Sequence, residues 1–311
     1  ISMSKLTEIL GVKYPILSAP MGVIAGAKLA CSVTETGGLG LIGGGYCDQI
    51  WIKQQLEKAT PGRFGIGFIT WRLHQFPEVL SLSLNYHPRA IMLSFGDISP
   101  FVGVIKDAGA PLICQIQTLE QAIEVKEQGA DIIVVQGTEA GGHGTTEPLL
   151  SLLPTVLNAV EDTPVIAAGG LVDGQDVCKI MSLGAQGALM GTRFYASEES
   201  EGTNEQKQRI VEASSEETVR TRVFDYARGY NWPQPYTGRA LKNAFYQKWH
   251  GQTDMFNKIS TQEKEAYAEA AQRNDFDVAG VFVGEGVGRI KEIVPAAQIM
   301  KNICMQAGFK P

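Results

Sequence analysis

Eight short, continuously apolar runs punctuate the first 192 residues, each followed by a segment of helical composition. They are Lys13 to Pro20, Leu39 to Ile42, Phe64 to Ile69, Arg89 to Phe95, Pro111 to Gln115, Asp131 to Val135, Pro164 to Ala168 and Ala185 to Met190. Runs of this length, rich in β-branched residues and bounded by glycine or proline, are buried strands. A strand apolar on both faces belongs in a parallel sheet covered on both sides. Strictly alternating β and α units, roughly 20 to 35 residues apart, give an α/β architecture, and eight of them favour a closed (β/α)8 TIM barrel. An open doubly wound sheet is the alternative. It is disfavoured because no GxGxxG follows the first run.

The intervening segments carry their own punctuation. Thr118 to Gln128 shows Thr118 as N-cap, Gln121 at the capping-box position and Gly129 as terminator. Leu149 to Val160 reads as a helix despite Pro154, and Pro295 to Gln306 as the closing helix. The βα pattern ends near residue 195. Residues 198–279 therefore read as a mostly helical insert, a subdomain or lid, ahead of the last barrel helix; residues 1–197 and 280–311 make the barrel. Within the insert, Thr218 to Ala227 is extended or a strand, and Arg239 to Trp249 and Gln262 to Arg273 are helices. Tyr230, Trp232 and Tyr236, in a proline-rich loop, are candidates to cover the barrel mouth, or else pack a small satellite core.

The bulk numbers narrow the function. A net charge of −6 without runs of basic residues argues against nucleic-acid binding. The five cysteines show no CxxC or Cys/His spacing, so neither a disulfide framework nor a metal site is expected. No apolar run reaches the length of a membrane span, and no basic-then-apolar leader opens the chain. The expectation is a cytoplasmic enzyme with a small-molecule substrate, a homodimer being one candidate assembly. Ile1-Ser2 ahead of Met3 reads as a remnant.

The chemistry concentrates at the strand ends. In a barrel the active site forms where the C-terminal ends meet their loops. Here those ends carry Met21-Gly22, Gly43-Gly44-Gly45, Gly141-Gly142, Gly169-Gly170 and Gly191-Thr192. Such a rim lets backbone approach a planar or phosphorylated ligand. The loops after the seventh and eighth runs, Ala167-Ala168-Gly169-Gly170 and Met190-Gly191-Thr192-Arg193-Phe194, are the usual phosphate position of these barrels. The sixth run opens into Gln136-Gly137-Thr138-Glu139-Ala140-Gly141-Gly142-His143. His143 is the one side chain there able to exchange a proton near neutral pH. The stretch suggests an active site, the alternative being a tight turn with a solvated histidine. Glu139 reads as a loop-ordering acceptor, a catalytic role being the alternative, and Trp71-Arg72 as pocket or rim. His74, His87 and His250 read as surface or structural residues.

Ala19-Pro20-Met21, the Gln136 to His143 stretch, Ala168-Gly169-Gly170, Met190 to Phe194 and Gly284-Glu285-Gly286-Val287-Gly288 together resemble the nitronate monooxygenase family, formerly 2-nitropropane dioxygenases. The bacterial FMN-containing enoyl-ACP reductase is similar. The resemblance implies an FMN-dependent barrel that oxidises alkyl nitronates, or nitroalkanes, with O2 to carbonyl compounds and nitrite. The other activity it implies is NAD(P)H-dependent reduction of an enoyl thioester or quinone. Carried over by position, Met21 and Gly22 lie against the flavin, and Gln115 and Gln136 bond its polar atoms. Gly141 and Gly142 clear space beside it. Ala168, Gly169, Gly170, Gly191 and Thr192 hold the phosphate, and His143 is the catalytic residue. Two positions depart from the pattern: Gly144, where relatives often carry Arg, and Gly67, where many carry Asn. The second loses a contact to the flavin and opens room.

Overall fold

The structure is a computed structural model that describes residues 3–252 and 254–311; Ile1 and Ser2, with the remnant reading, lie outside the described residues. All eight apolar runs are strands: β1 (Ile16–Ser18), β2 (Leu39–Gly45), β3 (Gly65–Ile69), β4 (Ile91–Ser94), β5 (Leu112–Ile116) and β6 (Ile132–Gln136). A short β7 (Gly142–Gly144) follows outside the barrel, then come β8 (Val165–Ala168) and β9 (Gly187–Met190). The eight barrel strands pair in parallel in chain order and close where Ile16 to Ser18 meet Ala188 to Met190.

Side chains alternate across the barrel wall, as strand geometry requires. Ile132 and Val134 join Leu17, Leu41, Ile113 and Ile166 inside. Ile133 and Val135 point outward into the layer between strands and helices, with Leu152, Leu153 and Val177. A short N-terminal helix, Lys5–Leu10, is held by a capping box at Ser4. Its Leu6 and Leu10 join the interior cluster and plug the end of the barrel where the strands begin.

Local signals mostly hold. Thr118 caps its helix by accepting the Gln121 N–H, and Gly129 ends it at φ 112. The Gln121 side chain accepts instead from the Gln117 N–H, so the reciprocal bond lies one residue ahead of the cap. Leu149–Val160 is one helix through Pro154. No helix among the described residues is long and apolar enough to cross a membrane.

The insert differs from its expected plan. Residues 218–221 form β10 (Thr218–Thr221), followed by the helix Val223–Arg228. Arg239 does not begin a helix: it lies in β11 (Thr237–Leu241), and the helix there is Ala244–Trp249, capped by Asn243. β11 pairs antiparallel with β10 on one side and with β7 on the other, Gly238 opposite His143. Pairing with distant strands overrides the local helical preference. The insert's own core, around Phe224, Tyr267 and Phe276, also takes in Tyr195 and Val172 from the barrel and Val281, Val283 and Val287 from the returning chain.

Candidate active site

A cavity of about 450 Å³ opens at the C-terminal ends of the barrel strands. That is within the size range of small-molecule sites. All twelve residues singled out from the sequence line it: His143, Met21, Gly22, Gln115, Gln136, Gly141, Gly142, Ala168, Gly169, Gly170, Gly191 and Thr192. Barrel closure alone brings these strand ends together. Val23 (φ 55) and Phe95 (φ 67) also line it and hold left-handed backbone, which costs non-glycine residues of order 1–3 kcal/mol each.

The rim glycines differ in what demands them. Gly169 and Gly170 take φ of 117 and 71, which side chains disfavour. Gly191 does not: its φ is −103, and a Cβ there would meet protein atoms only at 3.5 Å (Ala19) and 3.7 Å (Met21), ordinary contact distances. Nothing in the protein requires glycine at 191, yet the residue faces the cavity. A bare backbone there leaves room for a bound group. Thr192 places its Oγ1 to accept from the Gly284 N–H at 2.9 Å, which ties the phosphate-type loop to the returning chain. Gln136 is partly engaged: its Nε2 donates to the His143 carbonyl (3.0 Å) and its Oε1 accepts from Gln117 (2.8 Å). Each atom keeps one further hydrogen-bonding position. Glu139 accepts the Leu149 N–H at 3.0 Å, the loop-ordering arrangement.

His143 is not solvated. Its ring stacks on Trp232 with centroids 3.6 Å apart, and its Nε2 lies 2.9 and 2.8 Å from the two oxygens of Asp225. Arg228 reaches the same carboxylate at 2.8 Å and the Tyr46 hydroxyl at 3.2 Å. Trp232 closes the ring of contacts by donating its indole N–H to that hydroxyl at 2.9 Å. Burial works to raise the Asp225 carboxyl, but His143 and Arg228 together hold it below the usual carboxylate range. Asp225 is thus an acceptor only, and Nε2 must be the donor. Burial pushes the His143 pKa down, against the pull of Asp225, whose charge Arg228 already balances. The ring is then neutral with its lone pair on Nδ1. That atom has no hydrogen-bond partner among the described residues and is not sealed off. His143 and Arg228 are the only side chains in the lining, among the described residues, that carry a charge when protonated.

Sequence reasoning missed Asp225, Arg228 and Tyr46. Asp225 lies 82 positions from His143, so no local spacing joins them. The aromatic loop also differs from expectation. Only Trp232 reaches the cavity, while Tyr230 stacks on Tyr46 and Tyr236 packs edge-on to Phe95. Trp71 and Arg72 do not line it; Trp71 backs Trp232. Nor does Gly67 open room: a Cβ there would meet the Pro20 ring at 2.5 Å. A side chain at Gly144 would meet the Arg220 guanidinium at 2.9 Å, so an arginine from the insert fills that place. Arg220 and Arg239 both donate to the Thr138 carbonyl and hold the motif loop from outside. Of the remaining histidines, His74 bonds the Asp97 carbonyl and His250 stacks on Tyr246, both away from the cavity.

The sequence pattern of nitronate monooxygenases matches residues 3–66 and 69–306. The chain belongs to the nitronate monooxygenase family. It is 30% identical to a nitronate monooxygenase of Metarhizium robertsii, over 94% of this chain and 90% of that one. A probable nitronate monooxygenase of Bacillus subtilis is 28% identical, over 98% and 99%. Among solved structures, FabK from Thermotoga maritima superposes with a TM-score of 0.85 at 27% identity, covering 99% of this chain and 97% of that one. The nitroalkane oxidase of Streptomyces ansochromogenes does so at 0.81 and 25%, covering 98% of each. Membership makes this nitronate monooxygenase homologue a flavin-dependent oxidoreductase. Its own residues fit a flavin: the bare Gly191 and the strand-end cavity supply the cradle.

Proposed function

We propose that the enzyme binds FMN and oxidises alkyl nitronates, and neutral nitroalkanes after deprotonation, with O2 to carbonyl compounds and nitrite. Met21 and Gly22 would face the flavin ring, Gln115 and Gln136 its polar atoms, and Ala168 to Gly170 with Gly191-Thr192 its phosphate. The flavin, when bound, supplies the electron path between nitronate and oxygen. The protein supplies position and one base. Asp225 fixes the His143 tautomer, Trp232 fixes the ring plane, and Nδ1 is left to take the α-proton of a nitroalkane. The aromatic wall excludes water from that proton transfer. The observation that carries this reading is the unpartnered Nδ1 of a neutral, oriented histidine in an otherwise nearly uncharged cavity.

The test begins with the released cofactor, identified by chromatography, and with nitrite formation from ethyl nitronate and nitroethane under air. His143→Ala should slow turnover of neutral nitroalkanes by about 10²–10⁴-fold, as loss of a general base does, while sparing preformed nitronates far more. Equal loss on both substrates would remove His143 from the role of base. A second reading, an FMN-dependent NAD(P)H reductase of an enoyl thioester or quinone, has the likeness to FabK in its favour. Fast anaerobic bleaching by NADPH, with no response to nitronates, would move the assignment there.

A further inference from the structure

The cavity is longer than the site around His143. Beyond Met21 it continues beneath the insert, walled by Ile24, Tyr195, Tyr267, Phe276 and Ala279. Tyr195, Tyr267, Phe276 and Ala279 belong to the insert's hydrophobic cluster, against which Met21 and Ile24 pack. This arm is therefore not part of the barrel mouth; it is a seam between the barrel and the insert. Its polar groups are few. The Tyr267 hydroxyl accepts the Gly280 N–H at 2.8 Å and keeps its own proton to donate; with it stand, among the described residues, only the Tyr195 hydroxyl and the Gln206 amide, all three uncharged. The lining holds no Lys, Asp or Glu among the described residues, and its one arginine, Arg228, is committed to Asp225. Val23 and Ala271 line the cavity and are exposed, so the arm meets solvent there.

A passage with apolar walls, no free charge and an open outer end suits an uncharged hydrocarbon chain. It does not suit a carboxylate, which would lie buried without a cation. We propose that this arm binds the alkyl chain of the substrate, so that the enzyme favours linear primary nitronates of increasing chain length over short or acidic ones. This rests on the nitronate reading above. Each methylene that enters the arm should strengthen binding about fourfold, the value of burying one CH₂, until the chain reaches the opening.

The test uses the flavin-loaded enzyme and two probe series. Linear primary alcohols from ethanol to octanol, which carry no reacting group, are titrated by calorimetry. Primary alkyl nitronates of the same lengths, and propionate 3-nitronate, are compared by kcat/KM. Affinity and kcat/KM should both climb with chain length, with propionate 3-nitronate poorer than butyl nitronate. In Ala271→Trp, a change at the exposed end, the climb should stop at a shorter chain, with thermal unfolding confirming a folded protein. A flat alcohol series overturns the arm, as does a climb that Ala271→Trp leaves untouched, or a preference for propionate 3-nitronate. Absence of nitrite at every length would strike the nitronate reading instead, while the alcohols still report on the arm.

Discussion

The two walls of the cavity are made by opposite means. The barrel side is shaped by missing side chains: Gly22, Gly169, Gly170 and Gly191 expose backbone at the strand ends. The insert side is shaped by large and charged side chains that grip two barrel residues: Asp225 stands between His143 and Arg228, and the barrel's Tyr46 between Arg228 and Trp232. The first wall suits a large cofactor approached by main chain. The second orients a single proton acceptor. β7 belongs to both, since it leaves the barrel after β6 and pairs with β11 of the insert. His143 is thus a barrel residue held by a foreign element.

That division predicts where a substitution hurts most. Asp225→Asn should be the most damaging change. It leaves Arg228 charged and largely buried without its carboxylate, and breaking such a pair costs about 3–5 kcal/mol. The remaining bond from Arg228 to Tyr46 favours the lower end of that range. Chemical denaturation should show the loss, and Asp225→Asn with Arg228→Met should recover part of it. Where the single variant folds, its kcat on nitroethane should fall far more than its kcat on ethyl nitronate, because an amide no longer forces the proton onto Nε2. A purely structural role for Asp225 would lower both alike.

Gly191→Val probes the other wall. A Cβ at 191 meets the protein only at ordinary distances, so the apo fold should keep its thermal midpoint. Flavin affinity should drop by about 5–150-fold, the equivalent of 1–3 kcal/mol of overpacking, read by fluorescence on dilution. A variant that unfolds with its flavin affinity intact would mean that packing, not the ligand, requires glycine there.

The pH profile separates the walls next. The folded pKa of His143 lies below the unfolded value of about 6.5, because burial disfavours its charged form. Its contribution to stability is fully present above that value and is lost as pH falls through the folded pKa. Base activity follows the same sign. The kcat/KM for nitroethane should stay level from pH 8 to about 6.5 and decline about tenfold per unit only below an apparent pKa lower than that of a free histidine. With preformed nitronates this limb should be absent or much weaker. A midpoint above about 6.5 would mean that Asp225 outweighs burial.

The contrast also explains what could be read in advance. The eight strands, the glycine rim and His143 were legible because each signal is local: a run of Val and Ile, a terminating glycine, a histidine among glycines. Asp225, Arg228 and Tyr46 were not, because a carboxylate in Val223–Arg228 gains meaning only when the β7–β11 pairing brings it to His143. The misread helix at Arg239 has the same cause. Arg239 and Ala240 have no strand pattern of their own and are extended because β10 pairs with them along one edge.

Gly67 gives the smallest expected effect and the sharpest test of how far the barrel wall tolerates change. Placing at 67 the Asn that the family resemblance leads one to expect looks like a gain of one hydrogen bond to a flavin. The local geometry says otherwise, because the Pro20 ring stands 2.5 Å from where the Cβ would go, with Met92 at 3.4 Å. The ring must move, and Pro20 adjoins Met21, which faces the cavity. Gly67→Asn should therefore destabilise the protein by about 1 kcal/mol, the low end for overpacking, since a ring is easier to displace than backbone. It should leave flavin affinity level or slightly weaker. Tighter flavin binding with unchanged stability would show that the Pro20 packing is soft, and that the barrel wall can accept a side chain where it now uses none.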